Sequence, residues 1–145
     1  MNITKDTFND IREEVAAVIT AESTLFKAVY GFPQAKLAGY PAIIVMPSEN
    51  LSDYSSTSDN RLAFAFQLIM YYPIPNQTAY EKAEIAIGEC VADLLRIFST
   101  KSPRPLTTCD WVEPAPSVWG ETAVSDQPYR TATMTLRCIK YVEVN

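Results

Sequence analysis

The residue types that carry most enzyme chemistry are scarce in this sequence. Its 145 residues include no histidine, which removes the Ser–His and Cys–His nucleophile pairs, the histidine general base and every histidine-ligated metal site. The three cysteines, Cys90, Cys109 and Cys138, lie 19 and 29 residues apart, a spacing that matches no zinc or thiol-redox motif, so they read as reduced, buried thiols. A phosphate-cradling turn needs several glycines together, and Gly31, Gly39, Gly88 and Gly120 are scattered. Glu49, Asp53 and Asp59 offer hard oxygen ligands in a serine-rich stretch, but not at calcium-loop spacing. Neither a nucleophile beside a base nor facing carboxylates can be recognised. The sequence therefore predicts a protein that is not an enzyme, with no cofactor and no metal.

What the chain has instead is aromatic surface material. Trp111 and Trp119 stand close to Pro114, Pro116 and Gly120, either as an interface anchor or as indoles that close the end of the core. No Lys or Arg lies between them, so stacking on nucleic-acid bases is the weaker reading. Among the 8 tyrosines, Tyr40, Tyr54, Tyr71, Tyr72 and Tyr141 fall in or beside predicted strands, where an apolar ring with a wet hydroxyl suits a partner surface. Tyr54, Trp111, Trp119, Thr133 and Tyr141 are the candidate interface residues. With 12 Lys+Arg against 17 Asp+Glu the net charge is -5, which provides no basic face for a phosphate backbone.

The elements that must position these residues follow from hydrophobic spacing. From Thr4 to Ala21, Phe8, Ile11, Val15, Val18 and Ile19 recur at three- and four-residue steps and predict an amphipathic helix. Thr7 with Asp10, or Thr4, would cap it. Ala42 to Met46 reads as a short buried strand stopped by Pro47, and Ser48 to Asn60 as a long mobile loop with Tyr54 as its anchor. Leu62 to Tyr72 alternates strictly, with Leu62, Phe64, Phe66, Leu68, Met70 and Tyr72 on one side. Thr78 and Glu81 suggest a capping box for a second helix that runs to Ser99, its acidic side read as solvated. A strand around Leu106 to Val112, a turn at Ser125 to Pro128 and a long strand from Tyr129 to Val144 complete the chain. That last strand places Thr131, Thr133, Thr135, Arg137, Ile139, Tyr141 and Glu143 on one face, of which Thr131, Thr133, Thr135 and Tyr141 suggest a surface for assembly through the lateral edge of a sheet.

The order helix, strand, strand, helix, strand, strand predicts one α+β domain over residues 1–145. Its two helices would pack on one face of a mainly antiparallel sheet. The N-terminal residues do not resemble a signal peptide and no apolar run approaches the ~20 residues of a membrane span, so a cytosolic protein is expected.

Two stretches carry a resemblance. Residues Gly39 to Ile74 read GYPAIIVMPSENLSDYSSTSDNRLAFAFQLIMYYPI and the chain ends YRTATMTLRCIKYVEVN. Together with the segment order, they are similar to the tail terminator or tail-completion proteins of long-tailed bacteriophages. The resemblance implies a ring, usually a hexamer, that caps the tail tube, ends its polymerisation and presents a surface to the neck of the head. The implied partners are further copies of the chain, the tail tube protein and a neck or head-completion protein, with DNA passing through without specific binding. The implied location is the virion, after assembly in the host cytoplasm. The family has no fixed motif, so no residue role carries over. A head-completion or neck adaptor of the same virus is the nearest alternative, and a small enzyme working through Asp, Glu, Tyr or Cys is the rival of another class. If the cysteines are buried thiols, native protein should label slowly with a thiol reagent and expose three fast thiols once denatured. A native disulfide found by mass spectrometry would contradict this.

Overall fold

The strictly alternating segment becomes the centre of a six-stranded sheet. In the computed structural model the elements are α1 (Thr7–Glu22), β1 (Ala28–Tyr30), β2 (Ala42–Tyr54), β3 (Asp59–Pro73), a 3-10 turn (Gln77–Ala79), α2 (Tyr80–Phe98), β4 (Trp111–Pro114), β5 (Val118–Val124) and β6 (Gln127–Glu143). The structure describes residues 3–34, 37–54, 59–99, 105–115, 117–124 and 126–143, with backbone alone at 51–54, 59, 77 and 143. The strand order is β1-β2-β3-β6-β4, and β5 pairs with β6 on the β4 side. Only the β1–β2 pairing is parallel. This is the α+β architecture expected, with two strands added: the three-residue β1 and the edge strand β5. Both are too short or too weakly patterned to stand out from the flanking Gly and Pro.

Both helices pack on the face that carries Phe64, Phe66, Leu68 and Met70 of β3. The α1 stripe buries Ile11, Val15 and Ile19, with Phe8 and Val18 partly covered. The Phe8 ring meets Phe64 edge-on, centroids 4.8 Å apart. The α2 face buries Ala83, Ile87, Cys90, Val91, Leu94, Ile97 and Phe98. From β6, Ala132, Met134, Leu136 and Cys138 point into the same core. Cys90, Cys109 and Cys138 are all free and buried.

The structure corrects several sequence expectations. Ser48 to Asn60 is not one long loop: residues up to Tyr54 continue β2 and those from Asp59 begin β3, while residues 55–58 lie outside the described residues. The stretch is polar because Ser48, Glu49 and Asn50 are exposed on a strand, a composition that resembles a loop. Pro47 does not stop β2. β1 pairs only with Ala42, Ile43 and Ile44, so among the described residues β2 is an edge strand from Val45 onward, where a missing N–H breaks no ladder. The register shifts between Pro47 and Glu49, a bulge that absorbs the proline.

The strand expected from Leu106 begins only at Trp111, although Leu106 and Cys109 are buried. The predicted turn is shorter, because Val124 already pairs with Gln127. Asp126 takes the left-handed conformation at φ 66°, which Asp tolerates better than most residues. Neither capping box forms. Asp6 precedes α1 without a side-chain cap bond, and Thr7 Oγ1 instead accepts from the Thr4 N–H at 2.9 Å. Ahead of α2, Asn76 Oδ1 accepts from the Thr78 N–H at 3.1 Å and from its hydroxyl at 2.6 Å. Nor does β6 offer a lateral edge. It is flanked by β3 on one side and by β4 and β5 on the other, so it presents a face.

Phe66 is fully buried under both helices. Phe66→Ala should cost about 3–5 kcal/mol out of a total of roughly 5–15 kcal/mol. Urea unfolding followed by near-UV circular dichroism should show a large drop in midpoint, and a midpoint equal to wild type would refute this packing.

Candidate assembly interface

The helices cover one face of the sheet, and the other face is where the candidate residues must be judged. Directly paired strand residues share a face. Ile139 alternates with the core residue Cys138, so it lies on the helix-free face, and Trp111, paired with Ile139, lies there too. Val118 pairs with Thr133 and joins the same face. Trp119 pairs with the core-facing Ala132 and therefore lies on the helix side, 41% exposed. The two indoles do not form one cluster, because their partners on β6, Ile139 and Ala132, alternate to opposite faces of the sheet. Tyr54 ends β2 opposite Asn60, and its side chain lies outside the described residues.

The helix-free face has two halves. At one end Leu37, Ala42, Ile44 and Tyr129 form a small second core, with Tyr40 and Tyr71 packed against it. The Tyr40 and Tyr129 hydroxyls are 2.6 Å apart, and the Tyr71 ring meets Tyr129 edge-on at 5.9 Å. Burial, the bond to Tyr40 and the proximity of its hydroxyl push the Tyr129 phenol up to about 12. At the other end Ala63, Ala65 and Ile139 are buried in the floor, whereas Trp111 (52%), Val118 (69%) and Tyr141 (44%) stand exposed. Thr133, Thr135 and Arg137 are half-buried along β6. Arg61 on β3 bonds Glu113 on β4 at 2.8 Å across the face. Of the five candidates, Trp111, Thr133 and Tyr141 are brought to one surface. Ile139 and Arg137 belong with them, on the face that alternation along the last strand already assigns to them, and Val118 was missed, because only the pairing of β5 with β6 reveals its neighbours.

The strand that carries Trp111 is fixed from both sides. Glu14 of α1 accepts the backbone N–H groups of Thr107 and Thr108 at 2.7 and 2.9 Å, and both threonine hydroxyls. Partial burial pushes the Glu14 carboxyl up, but these four bonds outweigh it and hold the group below its ordinary value. Next along, the Asp110 N–H donates to the Ile139 carbonyl at 2.7 Å, and Asp110 Oδ2 accepts the Tyr141 N–H at 2.7 Å. Nothing in the local sequence around Glu14 marks a partner 93 residues away.

The other candidate groups are placed as follows among the described residues. No group of three or more Cys, Asp or Glu side chains is placed to hold a metal ion. Glu49 is exposed on β2, and the side chains of Asp53 and Asp59 lie outside the described residues. The Cys90 thiol is pushed up to about 12 by burial and by the charges of Asp93 and Glu89. Cys138 is pushed up by its bond to Cys109, by burial and by nearby charge. Thiols raised this far are weak nucleophiles at neutral pH. No described helix is long and apolar enough to cross a membrane. Comparison with known families finds no family model that matches the chain, and comparison with curated protein sequences finds no significant match.

The Glu14 clasp makes a pH-dependent contribution. A carboxyl whose pKa is lowered on folding adds stability above its unfolded value and loses it as pH falls through the folded one. Glu14→Gln should therefore cost roughly 1 kcal/mol at neutral pH, and the gap to wild type should close as pH falls from the ordinary carboxylate range through the lowered folded value. Urea midpoints across that range test it, and a gap that stays constant with pH would contradict the charge-assisted clasp.

Proposed function

We propose that this protein is a structural component of a long-tailed phage virion, a tail terminator. Copies form a closed ring, of six in the family it resembles, that caps the tail tube, stops its polymerisation and gives the neck a surface to join. The observation that carries this reading is the uncovered half of the sheet. There Trp111 and Val118, from β4 and β5 that follow one another along the same side of β6, and Tyr141 of β6 itself project above a buried floor, and aromatic and apolar groups on a rigid support suit a protein partner. The resemblance adds to it, because the two stretches that carry it form β2, β3 and β6, three adjacent strands of the sheet. The net charge of -5 suits a ring through which DNA passes without being held.

Electron microscopy of the purified protein, alone and mixed with tail tubes of the same virus, tests the proposal. Rings, or tubes with capped ends that no longer lengthen, are expected. Trp111→Ala combined with Tyr141→Ala should abolish both while melting close to wild type, since hot-spot residues cost about 2 kcal/mol or more each when truncated. A monomer that stays single at high concentration and leaves tubes growing would overturn the reading.

A further inference from the structure

The ring requires two different surfaces on each copy, and the helix-free sheet face supplies one. We propose that the other is the outer side of α2, so that α2 of one copy lies on the sheet face of the next. The inference rests on the ring reading above and names the contact that would build it.

α2 carries a second apolar stripe on the side away from the core. Ile85 is 56% exposed and Leu95 40%, and Gly88 and Ala92 lie between them, also exposed. The steps of three, four and three residues align all four along one helix face. A Cβ added at Gly88 would meet nothing within 4 Å, so the stripe is low in its middle and a broad surface can approach the backbone closely. Glu84 is engaged by Arg130 and Asp93 by Arg96. Glu81 and Glu89 are exposed and make no ion pair among the described residues.

The sheet face complements this stripe in both respects. It offers Trp111, Val118 and Tyr141 as exposed apolar groups. It also offers Arg137, half-buried beside them, with no hydrogen bond or ion pair among the described residues. Lys82 is also exposed beside Glu81 and Ile85, but the carboxylates outnumber it, so a net acidic, apolar helix faces a sheet whose uncommitted charge, among the described residues, is a cation. Apolar burial would supply affinity and the Glu–Arg pairing would set the orientation. The two surfaces lie on opposite sides of a two-layer molecule, so each copy leaves one of each free. Such head-to-tail contacts propagate until the rotation closes a ring, and every sheet gains the second helical cover that it lacks within one copy.

Charge reversal tests the pairing. One variant carries Arg137→Glu, and a second carries Glu81→Lys with Glu89→Lys. Each alone should weaken ring formation at least about tenfold in the concentration required, by analytical ultracentrifugation, with unchanged circular dichroism. Mixing the two variants, or combining all three changes in one chain, should restore assembly to within about threefold of wild type, because opposite charges then face each other again. Gly88→Phe, whose Cβ meets nothing within 4 Å and whose ring adds bulk to the depression, should block assembly in every background with circular dichroism unchanged. Reversals that assemble like wild type, no recovery on mixing, or normal rings from Gly88→Phe would overturn this contact while wild-type rings and tube caps leave the terminator reading intact. If wild type forms neither rings nor caps, the terminator reading itself fails and takes the contact with it.

Discussion

The pairing of β3 with β6 governs the rest of the molecule. It runs unbroken from Asp59 opposite Glu143 to Pro73 opposite Tyr129, and side chains alternate between faces along both strands. A slip of β6 by one residue against β3 would carry Met134, Leu136 and Cys138 to the helix-free side and bring Thr135 and Arg137 under the helices. Burying unpaired charge there would cost far more than any gain in pairing. The register is thus held by the core, and through it the positions of β4 and β5, which among the described residues have no strand partner except β6. The surface that carries Trp111, Val118 and Tyr141 inherits its geometry from contacts made on the opposite face.

This dependence explains what could be read from the sequence. The stripe of α1, the apolar face of α2 and the alternation of Leu62 to Tyr72 are local patterns, repeated often enough to be unmistakable, and each sits where its spacing implies. The polar arm of β2 was hidden because an exposed edge strand and a loop use the same residues. Pro47 strengthened that error, since its tolerance at an edge depends on how short β1 is, three residues elsewhere in the chain. The caps failed for a related reason: Thr–x–x–Asp and Thr–x–x–Glu are only permissive signals, and Asn76 captured Thr78 first.

The candidate surface was half legible. Residue type singled out Trp111 and Tyr141, because aromatic groups in or beside strands are costly to leave in water without a purpose. Type alone also selected Trp119, which belongs to the other face. Separating the two indoles requires the registers of β4 and β5 against β6, and those are set by long-range pairing. Alternation assigned Arg137 to its face but gave it no role, and Glu14 escaped notice, because a charged residue becomes informative only when its partner, or the want of one, is known. Glu14 ties the first helix to the approach to β4, so a residue near one end of the chain determines how firmly Trp111 is presented.

The bulge at Pro47 has a meaning for the crowded setting in which many copies fold at once. From Val45 onward β2 exposes a strand edge among the described residues, and open edges invite any other strand to add to them. A proline without an N–H, a local kink and the charge of Glu49 all interrupt that edge within three positions. Each makes the ladder a poor template for indiscriminate extension. The assembly proposed above, through side chains on the sheet face, requires a backbone edge that stays inert, since an open edge would let copies grow into open-ended fibrils. The irregularity in β2 thus acts as a safeguard of solubility.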